Sequence, residues 1–567
     1  MKKAYIEKPF CKGLIVSIAI LVIAFLLVVF AHNRNIVSDP RATLLVAESI
    51  LTTQTIKLDH YGEDFLRGYG YAIHNKNGHF YYYFPLGTSI ASLPFVALAK
   101  GFGLNMQQSE PTVQIAIAAV TAVLTLVFLM KLARFFLGPT NSIIIASIFW
   151  FGTSLASTSG TALWSHNFST LFALIAIYGA IKATKGNQLQ IWPVISLCLF
   201  AAYLCRPTMA LLFPFVLLYV FTYHRLVAIK SAILLMAVLG AFVVFSMYEY
   251  GQALPDYYLP KRLAGGNFYE AIYGNLLSPA RGLLIYSPFI LVAWFCFRAS
   301  DKEWGLKNSW LLLGFAWPLL HLICVSRFPH WWAGHSFGAR FMTDVIPGLF
   351  LLALYTWPTT AKGLTNKVSI GFLVLASVFA VYVNSGQGLF NKYTAAWNAD
   401  HNIDMYPEYL FDWSYPQFMA SKKGHDDRLV RHAISHIPVI KPFEALMHTS
   451  EKVVFLGWSG AEASHRWSEG TASSIVFLAD NVTDRFEGEI VIQAGSLGKQ
   501  RVKIVLNEKI IYSNELNSWD ENISVRFSPS IIKNGKNLIQ FYLPDAQQPG
   551  NGDPRILALA LKTFSVR

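Results

Sequence analysis

Asp39 stands a few residues beyond the first long apolar stretch, Gly13–Phe30, in the run Ala31-His-Asn-Arg-Asn-Ile-Val-Ser-Asp-Pro-Arg41. A carboxylate just outside a lipid bilayer can take a proton from a substrate anchored there, or hold a metal ion against it. A plainer reading stands beside this one. Asp39 precedes Pro40 and the helix-like stretch Arg41–Leu51, and aspartate is a good helix N-cap and a common turn residue. Glu63 and Asp64 are a second acidic pair in the same loop, candidates for the same chemistry or a solvated loop surface.

An anionic leaving group needs fixed cations. Arg206 precedes Pro207 between two apolar stretches, and Arg281 lies in Ser278-Pro-Ala-Arg-Gly-Leu just before another. Arg327 and Arg340 bracket Pro329-His-Trp-Trp-Ala-Gly-His-Ser-Phe-Gly-Ala339. Charge at membrane depth is costly and by default functional, and the guanidinium fork fits phosphate. Snorkelling to lipid headgroups is the alternative. Arg206, Arg281 and Arg340 are the candidates for an anion site. Arg41, Tyr83 in Phe80-Tyr-Tyr-Tyr-Phe-Pro85, His166 in Leu163-Trp-Ser-His-Asn-Phe, and His335 are candidates for a substrate pocket. The histidines could join Asp39 around a metal or be hydrogen-bonded structural residues. The tyrosines could line a sugar pocket or form an interfacial belt. No metal-ligand set is assigned, and a divalent ion is compatible with the site without being required.

The elements that must position these residues are apolar helices. The 567-residue chain is 54% hydrophobic and 14% charged, with mean hydropathy +0.40. A bilayer core of ~30 Å needs ~20 apolar residues per helix. Gly13–Phe30, Val113–Met130, Ser142–Ser159, Phe168–Ile181, Ile229–Phe245, Trp310–Val325 and Ser369–Val383 are candidate spans. The first lacks a small-residue cleavage site and is read as a retained span.

Net charge is +13, which in a soluble protein would suggest nucleic acid. Here much of the excess falls in short loops on one side: Lys2, Lys3, Lys8 and Lys12, then Lys131 and Arg134, Lys182 and Lys185, Arg225 and Lys230, Arg298, Lys302 and Lys307, Lys362 and Lys367. Only Glu7, Asp301 and Glu303 oppose them. Positive loops stay inside, so the N-terminus is expected in the cytoplasm and the balanced loop 32–112 outside. No nucleic-acid partner is expected. Leu86–Phe102, interrupted by Pro94, is read as an interfacial helix, which leaves about eleven spans and an outward C-terminus. All five cysteines lie in or beside spans, so no disulfide framework is expected outside.

Residues 386–450 turn polar and aromatic and are expected to connect a membrane domain, 1–385, to a β module, 451–567. The run Lys422-Lys423-Gly-His-Asp-Asp-Arg reads as a solvated turn. Six segments, beginning at Ser474, Gly488, Gln500, Asn522, Asn537 and Leu557, alternate or run apolar over strand lengths between Asn, Gly, Asp and Pro. They predict an all-β sandwich or jelly roll.

An outward acid after the first span, a helix, a polar loop, the entry Tyr83-Phe-Pro-Leu-Gly87, an interfacial helix and a span ending Lys131-Leu-Ala-Arg134 together resemble the GT-C glycosyltransferases over roughly residues 1–385. The resemblance implies a polytopic helical fold and inverting transfer of a sugar from a polyprenyl-phosphate donor, of undecaprenyl-phosphate type, on the outer face of a bacterial inner membrane. The acceptor would be a cell-envelope glycan, lipid or protein. It also implies that Asp39 occupies the catalytic place and that Arg206 and Arg340 match phosphate-contacting places. Many relatives carry two adjacent acids where this chain has Asp39-Pro40. Gly457-Trp-Ser-Gly-Ala-Glu462, Arg466-Trp467-Ser-Glu-Gly and Leu543-Pro-Asp-Ala-Gln-Gln-Pro549 resemble a β-sandwich module appended to bacterial membrane glycosyltransferases. Two other classes compete. A lipid-linked-sugar transporter predicts ionisable residues midway through spans, where this chain has few. An O-antigen ligase or polymerase relies on Arg and His in a late outer loop, which the early Asp39 disfavours.

Overall fold

The computed structural model describes residues 7–186, 189–263, 265–291, 308–356, 364–480, 482, 487–550 and 553–567. Lys2, Lys3, Arg298, Asp301, Lys302, Glu303, Lys307 and Lys362, part of the charge asymmetry, lie outside the described residues. The chain forms two compact units, Met1–Ser421 and Lys422–Arg567.

The first unit is helical. Its elements begin α1 (Glu7–Val29), α2 (Thr43–Thr53), α3 (Glu63–Arg67), the hairpin β1 (Ile73–Lys76) and β2 (His79–Tyr82), α4 (Gly87–Gly101) and α5 (Met106–Ala133). There follow α6 (Pro139–Phe151), α7 (Ser154–Ser157), α8 (Ser165–Gly186), α9 (Trp192–Cys205), α10 (Leu212–Tyr223) and α11 (Arg225–Tyr250). Helices Phe268–Leu277, Trp317–Val325, Ile346–Thr356 and Leu364–Val381 lie beyond. Among the described residues four helices are long and apolar enough to cross a membrane: Met106–Ala133, Ser165–Lys185, Arg225–Tyr250 and Lys367–Phe390. Six shorter apolar helices accompany them, fewer full-length spans than the sequence suggests. Proline accounts for part of the difference: Pro207 follows α9 and opens a 3-10 turn, Pro207–Leu211, before α10.

The loop after α1 is folded. Its hairpin pairs Ile73 with Tyr82 and Lys76 with His79 across Asn77-Gly78, both at positive φ (54° and 82°). That is the two-residue turn whose twist matches antiparallel strands. The hairpin presents Tyr81 and Tyr82 to a core that includes Leu44, Leu45 and Ile117 of α2 and α5.

Residues to Ser421 pack with the helices, with Trp397 and Leu410 buried beside Trp331, so the boundary between units falls inside the stretch read as a connector. Lys422-Lys423-Gly-His-Asp-Asp-Arg is not a turn. It opens a helix, Lys422–His436, because no proline interrupts a run of residues that tolerate helix.

The second unit is a two-sheet β fold. Its strands are β3 (Leu446–Met447), β4 (Val454–Leu456), β5 (Arg466–Glu469), β6 (Ala472–Ala479), β7 (Glu489–Ser496), β8 (Gln500–Leu506), β9 (Lys509–Leu516), β10 (Glu521–Arg526), β11 (Gly535–Tyr542) and β12 (Leu557–Val566). One sheet runs β10-β7-β12-β3 with β5 also on β12, the other β4-β6-β11-β8-β9, and all ladders are antiparallel. Inward residues Ile475, Phe477, Ile504 and Ile539 of one sheet meet Ile490, Ile492, Leu559 and Phe564 of the other in one core.

Candidate active site

Asp39 is held from both sides of the sequence. Upstream, the Asn33 amide donates to the carbonyls of Gly388 (2.8 Å) and Asn391 (3.0 Å), and the Asn35 amide donates to that of His335 (3.1 Å). Downstream, the hydroxyls of Tyr82 and Thr43 donate to the Asp39 carbonyl, and the Gln114 amide donates to that of Pro40 at 2.7 Å. Ser38 and Ala42 flank this turn in left-handed conformation (φ 58° and 65°). Left-handed backbone costs a non-glycine residue about 1–2 kcal/mol, so this tight arrangement depends on those anchors.

The Asp39 side chain does not cap α2. It is buried, 3% exposed, and Oδ2 accepts from the Ser165 hydroxyl at 2.5 Å and, more weakly, from its N–H at 3.3 Å, at the amino end of α8. Oδ1 accepts from Arg340 Nη2 at 2.8 Å. The Arg340 guanidinium carbon lies 3.7 Å from the centroid of the Trp164 ring. Arg206 Nη1 donates to the Ser165 hydroxyl at 3.1 Å, and its Nε donates to Asp344 Oδ2 at 2.6 Å. Asp344, fully buried, also contacts the His166 ring nitrogen Nδ1 at 2.8 Å and accepts from the hydroxyls of Thr208 and Ser169, both at 3.2 Å. One polar chain therefore runs Arg340, Asp39, Ser165, Arg206, Asp344, His166.

Burial works to raise the Asp39 carboxyl, but Arg340, Arg206 and the Ser165 hydroxyl together hold it below the ordinary carboxylate range. Asp344 is likewise opposed by burial and held far down by Arg206 and His166. Burial pulls the Arg340 guanidinium down against the pull of Asp39, yet arginine remains charged at neutral pH. The site is thus two ionised pairs placed side by side in a buried setting.

Arg206 and Arg340 form part of the wall of a cavity of about 670 Å³, with Tyr83, Tyr257, Arg262 and His335. Arg262 stacks on the Tyr257 ring, 3.8 Å from its centroid. His335 contacts Asn402 (3.2 Å) and Asp404 (3.6 Å), and Tyr83 stacks on His74. Asp39 sits behind Arg340, while the neighbouring Ser38 reaches the cavity.

Other candidate residues lie elsewhere. Arg41 turns to the Gly68 carbonyl and the Tyr69 ring, away from the cavity. Glu63 and Asp64 pair with Arg67 on the surface. Arg281 is buried and spends its donors on the carbonyls of Trp332, Ala280 and Gly334 and on Gln417 and Asn398, so it braces the chain around residues 332–334. Arg327 stacks on Phe268. His166 faces Asp344 and His335 faces Asn402 and Asp404. Among the described residues no group of three His, Cys, Asp or Glu gathers to hold a metal ion. Asp344, Ser165, Glu110 and Arg262 were not singled out by sequence. The one signal for Asp344 is a lone acid between Arg340 and the apolar run from Ile346.

Residues 93–248 match the protein family described as dolichyl-phosphate-mannose-protein mannosyltransferase. That match runs from within α4 to most of α11, less than half of the chain. ArnT from Cupriavidus metallidurans bound to undecaprenyl phosphate is similar at 13% identity, covering 76% of this chain and 82% of that one, with TM-score 0.41. The Archaeoglobus fulgidus oligosaccharyltransferase in the apo form is similar at 13% identity, 73% and 64% coverage and TM-score 0.38. A family two carbohydrate esterase from Clostridium thermocellum in complex with cellohexaose matches at 8% identity over 20% of this chain, TM-score 0.15, and the match spans only 31% of that esterase's length. No curated protein sequence matches the chain.

Proposed function

We propose that the chain is an inverting glycosyltransferase that takes a sugar from a polyprenyl-phosphate donor on the outer face of a bacterial inner membrane and passes it to a cell-envelope glycan, lipid or protein. About eleven spans, an inward N-terminus and an outward second unit complete this reading. The observation that carries it is the Asp39–Arg340 ion pair, 2.8 Å, set behind the wall of the large cavity with Arg206 nearby. The acceptor hydroxyl oxygen attacks the anomeric carbon while the bond from that carbon to the phosphate oxygen breaks. The phosphate leaves with the electron pair, and the acceptor proton passes to Asp39.

An acid held below its ordinary range is a weak base, so proton transfer comes late, after the acceptor oxygen has begun to bond. The incoming phosphate competes with Asp39 for Arg340, which loosens the ion pair and exposes the carboxylate to the acceptor. Arg206, fixed by Asp344, supplies a second cation whose position does not depend on the substrate.

The test is transfer by purified protein with a polyprenyl-phosphate sugar. Asp39→Asn keeps the shape and cannot take the proton, and turnover falls by ~10²-fold or more. A folded variant with near-normal turnover refutes the assignment.

A further inference from the structure

Glu110 is a buried carboxylate, 4% exposed, in the first turns of α5. A carboxylate in an apolar setting needs compensation, and among the described residues no cation pairs with it. Its nearest donors are backbone N–H groups, with Oε1 accepting from Leu44 at 3.0 Å and Oε2 from Ala42 at 3.4 Å; the Tyr69 hydroxyl reaches Oε2 at 3.5 Å. These belong to the start of α2, where Ala42 stands at the N-cap with no side-chain cap. A helix start leaves up to four N–H groups without acceptors and carries partial positive charge. Glu110 meets both needs from a neighbouring helix. One helical turn further along α5, and so on the same face, Gln114 takes the Pro40 carbonyl at 2.7 Å.

The two residues grip the chain on either side of Arg41, immediately after Asp39. An aspartate at an N-cap turns its carboxylate onto its helix's own N–H groups, and Asp39 stands three residues ahead of the N-cap Ala42. Here those groups are occupied by Glu110, and the Asp39 carboxylate is turned instead to Ser165 and Arg340. We propose that Glu110, with Gln114, is a positioning residue for transfer: by capping α2 from outside, it releases Asp39 from the cap role and fixes its carboxylate toward the cavity wall. The proposal rests on the reading of Asp39 as the base.

With Glu110 removed, the uncapped N–H groups of α2 recruit the nearest acid, and Asp39 leaves its working position. Misplacing a reacting group by about 1 Å costs on the order of 10²-fold in rate. Glu110→Ala therefore lowers kcat by about tenfold to a hundredfold, while KM for the lipid-linked donor stays within about twofold. Glu110→Gln keeps one acceptor and turns an amide N–H toward the other backbone donor, so its loss is intermediate. Gln114→Met, close in shape, lowers kcat in the same sense if Glu110→Ala does not fold.

The deciding experiment is a double-mutant cycle in purified full-length protein, with rates expressed per folded molecule. In an Asp39→Asn background the Glu110 and Gln114 substitutions should cost less than about twofold further, because a misplaced asparagine loses nothing that a well-placed one supplies. Full, additive losses in that background, or a rise in donor KM with kcat intact, overturn the clamp while leaving Asp39 as base. Wild-type turnover by Asp39→Asn alone refutes the base and, with it, the clamp.

Discussion

Arg340 and Asp39, 301 residues apart in sequence, meet at 2.8 Å with both side chains almost wholly buried. Burying two charges is costly, and the pair holds only while each has the other. Arg340 also faces the cavity, so the same guanidinium anchors the acid and presents a cation to the cavity.

Removing Arg340 therefore has two effects that can be separated. Arg340→Ala leaves an uncompensated buried carboxylate and destabilises the helical unit by about 3–5 kcal/mol. Arg340→Lys keeps the charge, loses the planar fork and costs less. In donor titrations each lost charge-assisted bond, about 1.5–3 kcal/mol, corresponds to roughly tenfold to a hundredfold in apparent affinity. Equal donor affinity in wild type, lysine and alanine proteins refutes the phosphate role.

Replacing both partners tests whether the pair matters for folding or for chemistry. Asp39→Asn with Arg340→Met removes both charges and leaves a near-isosteric filling, so thermal stability should recover most of what Arg340→Ala loses. Transfer should stay at the Asp39→Asn level or below. Recovery of turnover along with stability would show that the pair is purely structural.

The buried acids fix a pH window. Asp39 and Asp344 both titrate below their ordinary range in the folded protein. For such groups the folded state gains stability above the unfolded value, about 3.9, and loses it as pH falls toward the folded value. The difference in melting midpoint between wild type and Asp344→Asn should hold steady from pH 8 to 5 and shrink below about pH 4. A difference that already collapses between pH 7 and 6 contradicts the pairing with Arg206.

Orientation is open to a direct measurement. A reporter fused after Arg567 should be active on the outer side of the membrane, as the positive-inside count of the short loops demands. Activity confined to the cytoplasm reverses the topology and removes Asp39 from the outer face.

The place of Asp39 beside the candidate site is legible in the sequence because its cue is local: an acid a few residues after an apolar stretch. The same holds for the strands of the second unit that alternate apolar and polar residues. β9 escaped notice because it is an edge strand, and from Lys509 to Glu515 no residue of it is buried, so its composition is that of a surface. The bracing contacts of Arg281 are not legible in the sequence, because the carbonyls some 50 residues away and the side chains of Asn398 and Gln417 leave no mark near position 281. Glu110 stands before Pro111 with no local cue, and its partners Leu44 and Ala42 lie 66 and 68 residues back. Asp344 and Arg206 likewise find each other across 138 residues. Chemistry assembled from distant segments becomes visible only when the helices are in place.

The last strand of the second unit, β12, is flanked by β7 on one side and by β3 and β5 on the other. Its neighbours thus wait for the strand that comes last within the module. Non-local pairing of this kind is slow, and until it forms β7 keeps a bare hydrogen-bonding edge. Residues 446–556 should therefore stay incompletely assembled until Leu557–Val566 is available to pair. A nascent chain arrested before Leu557 should be protease-sensitive across the whole module, whereas one released past Val566 should become resistant in a single step.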